Sequence, residues 1–205
     1  MRVWYNTPAF FEVNMTELWL VRHGQTDWNT EFRIQGSIDK PLNATGIEQA
    51  QALAQKLKET LFDAIYSSPA KRAYQTASAI AKQLGMPIRT DDRLKEINLG
   101  LWEGLTWQQV QERYPEMFAK RKADPVHFAP DGAETYGDLA RRMVLAANDI
   151  ALAHPGERVL VVSHGMSLAT LLSKARGSDL ADAYHLVPQN ATPIVIEWEP
   201  EHRHN

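Results

Sequence analysis

Residues 17–29 read ELWLVRHGQTDWN and residues 158–165 read RVLVVSHG. Each opens on an apolar run too short for a helix and ends on His-Gly, so each reads as a buried strand running into a polar loop. Continuous apolar strands belong to sheets covered on both faces. Helix and strand signals alternate between the two. DAIYSS at 63–68 reads as another strand. Thr45 and Glu48 form a capping-box pattern, and Ile47, Ala50, Leu53, Ala54 and Leu57 follow at helical spacing, predicting a helix over 46–59. Ser68-Pro69 reads as the N-cap and first-turn pair of a helix through Ala73, Ala77, Ile80 and Leu84 that Gly85 stops, which puts Arg72 in its first turn. A longer amphipathic helix over 134–153 carries Leu139, Met143, Ala146, Ile150 and Ala153 on one face and ends at His154-Pro155-Gly156. Met166–Ser173 returns to helix, and PIVIEWE at 193–199 supplies a last strand. The predicted fold class is α/β, a three-layer arrangement with a mostly parallel central sheet and helices on both faces.

Residues 1–15, with Trp4, Tyr5, Phe10 and Phe11 in no regular period, read as an N-terminal extension of uncertain order, either a functional arm or the result of a start at Met1 in place of Met15. A single domain is expected over 16–199, with a loop-rich, aromatic cap insertion near 98–133 and a polar tail at 200–205. No internal repeat and no low-complexity segment interrupts it.

The 205 residues hold 22 Lys+Arg against 25 Asp+Glu, a formal charge of −3, which argues against a nucleic-acid binder. There is no cysteine, so disulfides, thiolate metal sites and thiolate nucleophiles are excluded. Neither a membrane-length apolar run nor a secretory leader is legible, and a cytoplasmic protein is expected.

In open α/β sheets ligands bind beyond the carboxyl ends of the strands. Three polar clusters fall there: Arg22-His23-Gly24, Arg72, and His164-Gly165. Two imidazoles, two guanidiniums and helix N-terminal N–H groups at one sheet edge suit a phosphate dianion. One histidine after a strand would read as a loop residue; both histidines and both arginines in register read as a phosphate pocket with a potential nucleophile.

LVRHGQTDWN, SSPAKRAYQTA, LKEINLGLWEG and VVSHG, in this order between Glu17 and Trp198, resemble the histidine phosphatase superfamily, also called phosphoglycerate mutase-like. The resemblance implies that His23 is phosphorylated on Nε2, that Arg22, Arg72 and His164 hold the phosphate and that Glu96 is the proton donor, with Glu103 as a weaker rival. It implies further that Asn29 helps hold the phosphate, that Gln35-Gly36 borders the pocket and that Gly165 adds a backbone N–H. No metal and no cofactor belong to that chemistry. His127, His154, His185, His202 and His204 are expected to be structural or exposed, and the aromatics of the middle segment to pack a cap.

The expected mechanism has two steps, attack by neutral His23 with Glu96 protonating the leaving alkoxide, then hydrolysis of the phosphohistidine. Because Glu96 must carry a proton beside a phosphate dianion, a mildly acidic kcat optimum is expected. Mutases of the family carry Tyr three residues after the acid and Asn after the SHG motif, where this chain has Leu99 and Met166, and a paired arginine for the substrate carboxylate that 104–135 lacks; Arg141-Arg142 lies in the later helix. The INLGLWEG form resembles the phosphatase branch. A phosphomonoester hydrolase acting on small phosphorylated metabolites is expected, with an apolar or aromatic leaving group favoured by the cap. A cofactor-dependent phosphoglycerate mutase and a non-catalytic phospho-ligand-binding member are the alternatives. P-loop and aspartyl-phosphate chemistries lack their motifs. Monomer and homodimer stay open, and no nucleic acid or membrane is expected as a partner.

Overall fold

The computed structural model describes residues 15–200, so the extension at 1–14 and the tail at 201–205, with His202 and His204, lie outside the described residues. Five strands form one sheet: β1 (Thr16–Arg22), β2 (Ala64–Ser67), β3 (Ile88–Thr90), β4 (Arg158–Ser163) and β5 (Pro193–Trp198), in the order β3-β2-β4-β1-β5. The first four are mutually parallel, and β5 closes the β1 edge antiparallel. β1 and β4 run in register from Glu17↔Arg158 to Arg22↔Ser163, so Arg22 and Ser163 end side by side. The polar residues after both strands therefore enter the same space.

The continuous apolar strands are explained by two cores, one on each face. Leu18, Leu20, Val159 and Val161 face α6 (Tyr136–Ala153) and α7 (Gly165–Arg176), while Val21, Leu160, Val162 and Ile65 face α2 (Ala44–Leu57) and α3 (Lys71–Leu84). Successive side chains of a strand point to opposite faces, and here both faces are buried. Each such side chain contributes about 1.5–3 kcal/mol by leaving water.

Three details depart from the sequence reading. The cap of α2 is Asn43, whose side chain accepts from the Gly46 N–H at 2.9 Å, so the helix starts before Thr45 and leaves it no capping role. The Ser68-Pro69 pair does not open α3, which begins at Lys71 behind Ala70 with no side-chain cap. The Ser68 hydroxyl lies instead 2.8 Å from His164 Nε2. Strand β3 was not foreseen; three residues at a sheet edge are too few for a periodic signal. The expected stop at Gly85 is present, with φ of 67°.

Between β3 and α6 the chain forms short 3-10 turns and two further helices, α4 (Trp107–Arg113) and α5 (Pro115–Ala123). Leu99, Trp102 and Val110 are buried in the core that α6 shares, while Trp107 and Phe118 lie farther out. A four-residue helix α1 (Asp27–Thr30) follows β1. No helix among the described residues is long and apolar enough to cross a membrane.

Candidate active site

A cavity of about 780 Å³ opens at the carboxyl ends of β1, β2 and β4. Arg22, His23, Asn29, Gln35, Gly36, Arg72, Glu96 and Gly165 all line it, so side chains 143 positions apart in sequence meet in one space. His164 stands directly behind them, its ring centroid 5.3 Å from that of His23.

His23 continues the β1–β4 ladder by donating its backbone N–H to Ser163 at 3.0 Å. Its Nδ1 lies 2.7 Å from the Gly24 carbonyl, which can only accept, so Nδ1 carries the proton and Nε2 keeps its lone pair. Burial, then the charges of Arg72 and Arg22, hold its pKa well below the histidine range, against the opposing effect of Gly24. The ring is neutral. The amide of Asn190 secures the loop by donating to the His23 carbonyl at 2.6 Å.

The Arg72 guanidinium is fixed by Ile38 O at 2.8 Å, Gly36 O at 2.9 Å and His164 Nδ1 at 3.1 Å. Arginine cannot accept, so His164 Nδ1 is the acceptor and its Nε2–H donates to Ser68. Burial, then Arg72, His23, Arg142 and Arg22, keep the His164 pKa well below its ordinary value. His164 thus orients Arg72, and both its nitrogens are occupied. Arg22 donates Nη1 to Pro188 O at 3.0 Å, while its buried Nε has no partner. An orphaned cationic donor at a cavity floor is a position for an anion's oxygen.

Asn29 turns its Oδ1 back to cap α1, accepting from Thr26 N at 3.0 Å, which leaves its NH2 group for the cavity. Gln35 is buried with an unpartnered Oε1. Gly36 has φ of +50°, and a Cβ there would stand 2.0 Å from Glu103 Oε1. Gly165 is equally confined, since a Cβ would meet Val187 at 3.1 Å and the Arg22 guanidinium at 3.5 Å.

Glu96 reaches the cavity from a loop and is held at the first turn of α7. Its Oε1 accepts from Ile97 N at 2.9 Å, Ser167 N at 3.1 Å and Ser167 Oγ at 3.1 Å, and its Oε2 from Met166 N at 3.1 Å. Glu103 lies elsewhere: its Oε1 accepts from Ser37 N at 2.8 Å and Leu99 N at 3.0 Å, bracing two loops.

Several lining residues carried no sequence signal. Arg121 lies in a Lys-Arg-Lys run that reads as a solvated face, yet it is 6 % exposed. Its Nη1 donates to Phe128 O at 3.0 Å and Glu134 O at 2.8 Å, its guanidinium sits 5.0 Å from the Tyr136 ring centroid, and its buried Nη2 has no partner. Trp107, Phe118, Tyr136 and Tyr184 form the apolar wall around it. Of the remaining histidines, His154 is buried in a separate cluster with Glu157, Tyr66 and Arg89, and His127 pairs with Asp124 on the surface. No group of three or more His, Cys, Asp or Glu side chains among the described residues is placed to hold a metal ion.

A sequence profile of the histidine phosphatase superfamily (branch 1) matches residues 18–204. The chain belongs to that superfamily. Phosphoserine phosphatase 1 of Hydrogenobacter thermophilus is 35% identical over 185 residues, 90% of this chain and 88% of the relative. The metal-independent phosphoserine phosphatase of Arabidopsis thaliana is 44% identical over 158 residues, 75% of this chain and 66% of the relative. Among solved structures, a mycobacterial glucosyl-3-phosphoglycerate phosphatase with VO3 superposes with a TM-score of 0.79 at 32% identity, covering 87% of this chain and 90% of the other. The superposition with the mycobacterial phosphatase shows that this histidine phosphatase family member shares its overall fold.

Proposed function

We propose that this protein is a phosphomonoester hydrolase acting through a phosphohistidine on His23. The observation that carries the reading is the tautomer of His23: Nδ1–H is committed to Gly24, so the free Nε2 lone pair is directed to a cavity floor with the unpartnered donor of Arg22. In the first step Nε2 attacks phosphorus, the N–P bond forms, the ester P–O bond breaks and Glu96 gives its proton to the leaving oxygen. Water then attacks the phosphohistidine, the P–N bond breaks and Glu96 takes the proton. Arg22, Arg72, the Asn29 NH2 group and the Gly165 N–H neutralise or bind the phosphoryl oxygens. His164 contributes by fixing Arg72.

The far wall narrows the substrate. A buried cation without a carboxylate partner is costly unless a ligand supplies the charge. Arg121 therefore marks the place of a second acidic group, and the unpartnered Gln35 Oε1 that of an N–H or O–H donor. A small phosphomonoester with a carboxylate fits both, and the relatives named phosphoserine and glucosyl-3-phosphoglycerate phosphatases support that class. Leu99 and Met166, which line the cavity where mutases of the family carry Tyr and Asn, support water over a second substrate hydroxyl as acceptor.

The test is phosphate release from a phosphomonoester panel in EDTA, with 2- and 3-phosphoglycerate included, together with phosphoenzyme trapped by an alkaline detergent quench. Wild type is expected to release phosphate and to accumulate an acid-labile, alkali-stable phosphoenzyme, and His23→Ala to lose both by on the order of 10⁴-fold or more. Turnover surviving in His23→Ala would sink the nucleophile, and interconversion of the phosphoglycerates without hydrolysis would make the protein a mutase.

A further inference from the structure

From the 3-10 turn at Asp92–Leu94 into the loop that carries Glu96, four consecutive carbonyls are all taken by side chains. Arg142 Nη1 donates to Arg93 O at 2.7 Å and to Lys95 O at 2.6 Å, and its Nη2 donates to Glu96 O at 2.9 Å. Ser163 Oγ donates to Leu94 O at 2.7 Å, and Ser167 Oγ to Lys95 O at 2.7 Å. The two remaining N–H groups of Arg142 form a fork on Glu134, at 2.8 Å from Nε to Oε1 and 2.9 Å from Nη2 to Oε2. All five donors of one guanidinium are spent.

Glu134 is tied to the same loop from the other side. Its Oε2 accepts from Asn98 N at 2.9 Å, and its own N–H donates to Asn98 O at 2.8 Å. Arg142 and Glu134 thus grip residues 93–98 from the second turn and the entry of α6, while α7 grips the Glu96 carboxyl itself. Arg142 does not line the cavity and touches no substrate position. A guanidinium that could lie in water has instead been set, one-fifth exposed, against the backbone of the residue that must deliver a proton. Planar fork geometry, which lysine lacks, is what lets one side chain hold a carboxylate and three carbonyls at once.

We infer that Arg142, oriented by Glu134, is the positioning residue that sets the Glu96 carboxyl against the leaving oxygen, so that the pair controls proton delivery and not phosphate binding. The inference rests on the proposed role of Glu96 as general acid. Misplacing an acid by about 1 Å costs on the order of 100-fold in the step that needs it. It costs little where the leaving group departs without a proton.

Leaving-group dependence separates positioning from general damage. The measurement is kcat/KM for an alkyl phosphate and for p-nitrophenyl phosphate in wild type, Glu96→Gln, Arg142→Met, Arg142→Lys and Glu134→Gln. Arg142→Met is expected to lose about 30- to 100-fold on the alkyl ester and less than about 5-fold on the aryl ester, with Glu134→Gln and Arg142→Lys showing the same split more weakly. An equal loss on both esters, or no loss on either, would overturn the inference. Should Arg142→Met not fold, the two milder variants decide by the same criterion. If Glu96→Gln itself shows no split, the acid role of Glu96 fails and the positioning role fails with it; a split in Glu96→Gln without one in the other variants overturns the positioning role alone.

Discussion

On the floor of the cavity His23 and Arg72 are 2 % and 1 % exposed, and each is pinned by main-chain carbonyls of loops that leave the sheet. On the wall Trp107 and Tyr184 are 49 % and 54 % exposed and are held by side-chain packing, Trp107 between Trp102 at 6.1 Å and Phe118 at 6.4 Å. The floor therefore derives its geometry from the backbone of the fold, and the wall from side chains of the segment between β3 and α6, the start of α6 and the turn after α7. A phosphoryl group is the same in every substrate of the class, whereas the leaving group differs. A rigid floor under a more adaptable wall separates chemistry from selection.

The sharpest way to break the floor is to disturb its backbone without touching a charged group. The loop after β1 and the first turn of α2 are pressed main chain to main chain: a Cβ on Gly46 would stand 2.0 Å from Gln25 O, and one on Gly24 would stand 2.5 Å from Gly46 O. Neither oxygen belongs to a flexible side chain that can swing aside. Gly46→Ala is expected to move the loop that holds His23 and to lower kcat/KM by at least about 100-fold, with overpacking costing about 1–3 kcal/mol of stability. Full activity in a folded Gly46→Ala protein would mean that the floor is less rigid than its contacts require.

The second prediction concerns how dry and cationic the floor is. His23 and His164 have folded-state pKa values below the unfolded value of about 6.5. As pH falls below that value the unfolded chain binds protons that the folded chain refuses, so their contribution is complete above pH 6.5 and is lost on acidification. Each histidine adds a slope of up to about 1.4 kcal/mol per pH unit. Urea unfolding of wild type between pH 7.5 and 5.0 is expected to reveal this loss, and His23→Gln to flatten the slope by one histidine's share. Identical slopes in the two proteins would show that the imidazole ionises freely in the folded state. The same depression favours the uncharged His23 imidazole, the form its proposed role as nucleophile requires.

The two regions were not equally legible in the sequence. The floor could be read because strand ends are marked by where apolar runs stop, and Arg22, His23, Arg72 and His164 sit at those stops. Parallel register then brings them together without any further information. The capping pattern at Ser68 has a second, tertiary use: its hydroxyl accepts from Ala70 N at 3.3 Å, ahead of the helix start at Lys71, and lies 2.8 Å from His164 Nε2. On the wall Arg121 is one of three consecutive cations, and helix spacing cannot tell which of them a cavity will bury. Arg142 was legible as a helix residue and not as the clamp on Glu96, because its partners are carbonyls, which every residue has and no pattern marks.

Arg121 is also where the comparison can be sharpened with the smallest perturbation. Its Nη1 already serves Phe128 O and Glu134 O, so Nε and Nη2 are the donors left to meet a ligand, and burial pushes the guanidinium pKa down without removing its charge. Phosphoserine and phosphoethanolamine share the phosphate, the methylene ester and the ammonium group, and differ in the carboxylate. If the wall selects by charge, wild type is expected to favour phosphoserine by about tenfold in kcat/KM, in keeping with one charge-assisted hydrogen bond. Arg121→Met, of similar reach and no charge, is then expected to bring the ratio below about threefold. A ratio that survives the substitution would assign the discrimination to Arg33 or Lys122, the other cations that line the cavity away from its floor, while a wild type indifferent to the carboxylate would leave the wall selecting by aromatic contact alone.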